Sequence, residues 1–275
     1  MAFLQVDYKS GQLSRKVHFN VFLPVDVSPD GKTGAPWRTL YLLHGIYGDC
    51  SSWVTGSCVQ RYADDRNLCV VMPDGENGFY LDHPDYMNNY SSWIGQELVE
   101  ATRSMFTLSH RREDTWIGGL SMGGYGALRT GLKYADTFGG IAAFSSALLL
   151  EMIQSGKGTG GPADNEAYIR AMFGDPDHLL NTDLDPLFLA RERKASGKPM
   201  PRMYLSCGEQ DFLLPANRNF HEALTDLGVE HTWRTTPGGH TWEFWEQEIR
   251  HVVLDWMPDA PDGSAAGPDS HLLDF

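Results

Sequence analysis

The segment Gly119-Leu120-Ser121-Met122-Gly123 constrains this chain more than any other, because its surroundings change character across it. Before it, Thr115 to Gly119 reads as a short apolar strand. After it, Met122 to Leu132 reads as a helix despite its glycines. A strand that turns sharply into a helix needs residues without Cβ atoms on either side of the turn, and G-x-S-x-G supplies them. Such a turn lifts the Ser121 hydroxyl out of the sheet edge and leaves the Met122 N–H free to meet a developing negative charge. Ser121 is therefore the candidate nucleophile; its plainer role would be to cap the following helix. Gly124 and Gly126 are read as sites of close helix–sheet packing.

The flanking chain repeats this alternation. Val17 to Leu23, Arg38 to Leu43, Cys69 to Met72, Gly139 to Phe144, Met203 to Ser206 and His231 to Thr235 read as short strands. Ile94, Leu98, Ala101 and Met105 recur at helical spacing between Trp93 and Phe106. Phe220, Ala223, Leu224 and Leu227 do so before Gly228, and Trp242, Trp245, Ile249, Val252, Val253 and Trp256 describe a C-terminal helix. Apolar strands alternating with helices require an α/β fold with a mostly parallel central sheet flanked by helices. Residues 1–257 are read as one domain with an insertion around 150–201 that includes the Gly-rich 155–162 stretch, and 258–275 as an acidic Pro/Gly-containing tail.

A neutral serine hydroxyl needs a base. His240, in Pro237-Gly238-Gly239-His240-Thr241 just before the last helix, is the preferred one. His221 and His251 fall within helices, His83 and His178 in loops, and His44 in an upstream loop whose backbone is more useful than its ring. Asp211, after the Met203 strand and Cys207-Gly208-Glu209-Gln210, completes the order Ser, acid, His. Glu209 is its nearest rival, and Asp211 could instead cap the segment that follows. The loop His44-Gly45-Ile46-Tyr47-Gly48 is placed to offer a second backbone N–H, Ile46 first and Tyr47 as the alternative. Tyr47, Trp53, Tyr80, Tyr86, Trp93 and Trp242 are the candidate pocket walls, Trp53 foremost.

These residues resemble an esterase family of α/β-hydrolases that includes tributyrin esterases, S-formylglutathione hydrolases, feruloyl and acetyl-xylan esterases, and mycolyltransferases. GLSMGGYGALRTGLKYADTFGGIAAFSS carries the resemblance, supported by LLHGIYGD, LSCGEQD and GGHTWEFW, over about residues 17 to 257. The resemblance implies an α/β-hydrolase fold and a Ser121, Asp211, His240 triad with Ile46 and Met122 as oxyanion donors. It also implies hydrolysis of a small acyl ester or thioester with no cofactor and no metal, and the chain looks most like the compact tributyrin esterases, which prefer short acyl groups. Asp82-His83-Pro84-Asp85 and the 155–162 stretch depart from the family's form, at places expected to reshape the acyl or alcohol pocket.

Composition narrows the partners. Asp and Glu total 36 against 22 Lys and Arg, a formal net charge of −14, which opposes binding to nucleic acid or an anionic membrane surface. No 18-residue apolar run suggests a membrane span, and the N-terminal residues lack a leader pattern, so a cytoplasmic protein is expected, with a homo-oligomer left open. The four cysteines form no metal-ligand spacing. Cys69 and Cys207 read as core thiols, and Cys50 and Cys58 could pair only in an oxidising compartment.

Overall fold

A computed structural model describes residues 1–26, 34–158 and 164–258. The expected tail beyond residue 258, the middle of the turn region 24–36 and part of the 155–162 stretch lie outside the described residues. Among the described residues ten strands form: β1 Ala2–Ser10, β2 Arg15–Leu23, β3 Arg38–Leu43, β4 Leu68–Pro73, β5 Asp82–His83, β6 Asn88–Asn89, β7 Thr115–Leu120, β8 Gly140–Phe144, β9 Arg202–Gly208 and β10 Thr232–Thr236. Eight of them make the central sheet, in the order β1-β2-β4-β3-β7-β8-β9-β10, while β5 and β6 pair separately. The strands from β4 to β10 in that order run parallel, and β2 and β1 are added antiparallel at one edge. The fold is that of an α/β-hydrolase.

Alternate residues of the parallel strands enter two apolar layers, one on each face of the sheet. Tyr41, Leu43, Val71, Ile117, Ala143 and Leu205 join one, while Leu40, Leu42, Val70, Trp116, Phe144 and Tyr204 join the other. Burial on both faces explains why these strands read as unbroken apolar runs. Ala2–Ser10, to which the sequence reading assigns no element, is an edge strand with alternating burial. It carries Gln5, Asp7 and Lys9 between half-buried apolar residues and so lacks the core-strand signature.

Helical spacing translates well where the helix is regular. Met122–Lys133 packs on the sheet, Leu214–Asp226 buries Phe220 and Leu224, and Trp242–His251 buries Trp245 and Ile249. The helix that includes Leu98–Met105 is preceded by a π turn over Trp93–Glu97. There the buried residues are Trp93, Ile94, Gly95, Leu98, Val99 and Thr102, and Met105 is exposed. No described helix is long and apolar enough to cross a membrane. All four cysteines are free, Cys50 and Cys58 included, so the conditional pairing of those two does not occur in this structure.

The motif glycines are required by contact. A Cβ on Gly119 would come within 2.4 Å of the Gly123 carbonyl oxygen, and one on Gly123 within 2.5 Å of the Leu43 and His44 carbonyls. Backbone cannot retreat as a flexible side chain can. Gly123→Ala is therefore expected to destabilise the protein by about 1–3 kcal/mol, the usual cost of overpacking, read as a lower urea midpoint at unchanged m-value.

Candidate active site

Parallel strands deliver their C-terminal ends to one edge of a sheet, and loops from that edge can converge. Six strands end at that edge, and five of them lead directly into the site. β3 leads into His44-Gly45-Ile46, β7 into Ser121, β8 into Ser145, β9 into Asp211, and β10 into the loop that bears His240. Ser121 has φ 54° and ψ −118° and makes no capping hydrogen bond to its helix, so the hydroxyl is spent elsewhere. It lies 3.0 Å from His240 Nε2, and His240 Nδ1 lies 2.9 Å from Asp211 Oδ2.

The acid and histidine loops are joined to each other by backbone. Gln210 N–H donates to the Gly238 carbonyl at 2.9 Å, Glu209 N–H to that of Thr236 at 3.0 Å, and Gly238 N–H to Gln210 Oε1 at 2.8 Å. Glu209, the rival acid, has an exposed side chain. Asp211 does cap the following turn, accepting from Leu213 N–H through Oδ1 at 2.8 Å, while its other oxygen faces His240.

Ile46 and Met122 line a cavity of about 560 Å³ together with Ser121 and His240. Met122 opens its helix, so its N–H has no intrahelical acceptor. Among the described residues the Ile46 N–H has no partner either. The alternative donor, Tyr47 N–H, is taken by Asn77 Oδ1 at 2.9 Å. His44 holds the loop from beneath: Nε2 accepts the Gly75 N–H at 2.9 Å, which puts the ring proton on Nδ1, 2.7 Å from the Gly45 carbonyl.

Against this geometry stand the relatives. The family model described as "Putative esterase" matches residues 10–255, nearly the whole chain. The chain belongs to this esterase family. An acetyl esterase of Caldicellulosiruptor saccharolyticus is 37% identical over 273 residues, covering 95% of this chain and all of that one. A solved structure of fluorophosphonate-binding serine hydrolase F from Staphylococcus aureus, with substrate bound, superposes with TM-score 0.83 at 28% identity, over 93% of this chain and 98% of the other. S-formylglutathione hydrolase of the same organism superposes at 0.80, with the same identity and coverage. The protein is thus an ester-hydrolysing enzyme of the serine-hydrolase type.

Of the expected walls, the esterase places Tyr47 and Trp242 on the cavity. The others are corrected. Trp53 is 1% exposed, donates its indole N–H to the Leu43 carbonyl at 2.9 Å and backs Trp242 edge to face. Tyr80 is fully buried, and its hydroxyl donates to the His44 carbonyl at 2.9 Å, steadying the same loop. Trp93 is buried and donates to the Tyr8 hydroxyl at 2.6 Å. Tyr86 is exposed on a 3₁₀ turn away from the cavity. Residues 82–85 do not line it either, for Asp82 is engaged by Ser92.

Sequence reasoning missed Phe79, Ala147, Leu149, Phe212, Leu213 and Trp245 as lining residues, and Ser145 as a partner of the acid. Ser145 is buried at the end of β8 and accepts the Trp245 indole N–H at 3.2 Å, and its hydroxyl favours the charged form of Asp211. The available signal was positional: Ser145 and Phe212 follow strand ends at the same sheet edge as Ser121.

Burial opposes a charge on Asp211, but the His240 imidazole, the Leu213 N–H and the Ser145 hydroxyl outweigh it and hold the carboxyl below the ordinary carboxylate range. A depressed folded-state pKa contributes stability that is complete above the unfolded value, about 3.9 for aspartate, and is lost as pH falls through the folded value. Asp211→Asn is therefore expected to flatten the acid-side slope of stability below about pH 4, checked by urea midpoints from pH 6 downward. An unchanged slope would mean that Asp211 carries no such depressed pKa.

Proposed function

We propose that the enzyme is a serine carboxylesterase that hydrolyses short-chain acyl esters through an acyl-Ser121 intermediate. The observation that carries this reading is the unbroken chain of contacts from Asp211 through His240 to Ser121, opening directly onto an apolar cavity. His240 Nε2 takes the hydroxyl proton as Ser121 Oγ bonds to the ester carbonyl carbon, while Asp211 holds the other ring nitrogen and favours the imidazolium that forms. The carbonyl oxygen gains the displaced electron pair, and the Ile46 and Met122 N–H groups stabilise it. When the carbonyl re-forms, the bond to the alcohol oxygen breaks and His240 returns its proton to that oxygen. Water then attacks the acyl-serine with the same histidine as base, releasing the acid and restoring Ser121.

The short acyl preference is supported by the name acetyl esterase that the 37% identical relative bears, and the buried apolar Ala147, Leu149 and Leu213 give the cavity a lining suited to an acyl group. The same machinery cleaves a thioester, so a matched set of substrates decides between them.

Ser121→Ala and His240→Ala are each expected to lower kcat on p-nitrophenyl acetate on the order of 10⁴-fold or more, with circular dichroism and thermal midpoint near those of the parent. On the parent enzyme, kcat/KM is expected to fall from acetate and butyrate to octanoate esters. A strong preference for S-formylglutathione over every oxygen ester tested would replace the carboxylesterase assignment with a thioesterase one.

A further inference from the structure

The residue immediately after Asp211 is Phe212, a large apolar side chain that is 63% exposed. Its ring centroid lies 4.9 Å from that of His240, tilted by 54°, and it lines the cavity that holds Ser121. A phenylalanine left in water beside a catalytic-type histidine contributes little to the core, since its hydrophobic surface is not removed from solvent. The other ring against His240 differs in kind. Trp245 meets it edge to face at 4.9 Å, but it is buried and its N–H is spent on Ser145.

The cavity has two ends of unlike character. Phe79, Ala147, Leu149 and Leu213 are all buried and form its closed part, whereas Tyr47 and Phe212, 80% and 63% exposed, stand at its open rim. Acid–base logic assigns the ends. His240 Nε2 must reach both Ser121 Oγ and the departing oxygen, because it receives the proton from one and gives it to the other. The alcohol oxygen therefore leaves beside the imidazole, and the group it carries extends outward past whatever lies next to that ring. Phe212 is the exposed surface there.

We infer that Phe212 is a specificity-determining residue on the alcohol side of the site, the face against which a ring-bearing alcohol lies as it departs. This rests on the serine mechanism proposed above. A planar alcohol gains a ring contact that an ethyl group cannot make, so Phe212 favours esters of ring-bearing alcohols over small alkyl esters without altering the choice of acyl group.

The test uses the full chain, with Phe212→Ala and Phe212→Leu, and two substrate pairs. Benzyl acetate and ethyl acetate share the acyl group and release alcohols of similar acidity. Benzyl butyrate against benzyl acetate varies the acyl group alone. The benzyl-to-ethyl ratio of kcat/KM is expected to fall roughly three- to tenfold in Phe212→Ala, the range typical of one aromatic contact, and less in Phe212→Leu, with the butyrate-to-acetate ratio held within about twofold. Ratios cancel any general effect on His240. An unchanged benzyl-to-ethyl ratio overturns the assignment, as does a change in acyl preference, which would put Phe212 on the other side. Titration with a fluorophosphonate separates the two levels. A parent enzyme not labelled at Ser121 refutes the serine mechanism and the assignment with it, whereas labelling with an unchanged alcohol ratio refutes the role of Phe212 alone.

Discussion

The structure depends on the contact between the start of the Met122–Lys133 helix and the end of β3. Gly123 sits so close to the Leu43 and His44 carbonyls that a methyl group would not fit between them. This contact seats the helix on the sheet, sets Ser121 in its positive-φ turn, and brings the Gly45-Ile46 loop against that turn in one arrangement. Strain at Ser121 is tolerated because the surrounding backbone over-determines it. Ser121 N–H donates to the Phe144 carbonyl at 2.9 Å, while its own carbonyl accepts from Tyr125 and Ala147.

A second constraint is electrostatic. A buried carboxylate is expensive unless its oxygens are occupied. Those of Asp211 are served by His240 and the Leu213 N–H, and the Ser145 hydroxyl adds to what favours the charged form. Ser145 is in turn held by Trp245, which also packs edge to face on His240. Asp211, His240 and the rings packed on the imidazole form one hydrogen-bonded and packed unit, and Gln210 and Gly238 tie together the two loops that carry it.

Much of this was legible locally. The apolar runs of β3, β4, β7, β8 and β9, the helix after Ser121 and the C-terminal amphipathic helix have periods that depend only on neighbouring residues. The grouping of Ser121, Asp211 and His240 followed from chain order and from strand ends, because a parallel sheet presents those ends together. Less was legible where a side chain could turn either way. Trp53, Tyr80 and Trp93 all belong to loops or helices near the right edge of the sheet, yet each points inward and uses its polar atom on Leu43, His44 or Tyr8. Phe212 and Trp245 face the cavity with no sequence signal beyond their nearness to Asp211 and His240.

By itself, the sequence determined the alternation of strands and helices, the glycine-flanked turn at Ser121, and the residue types able to serve as nucleophile, base and acid, since these follow from local sterics, periodicity and intrinsic chemistry. Only the tertiary structure decided which N–H groups remain free, which aromatics become walls and which become supports, and that Ser145 stands behind Asp211. Those outcomes depend on packing between segments far apart in the chain. There a buried polar atom must find a partner, and a ring goes wherever that partner and the remaining space allow.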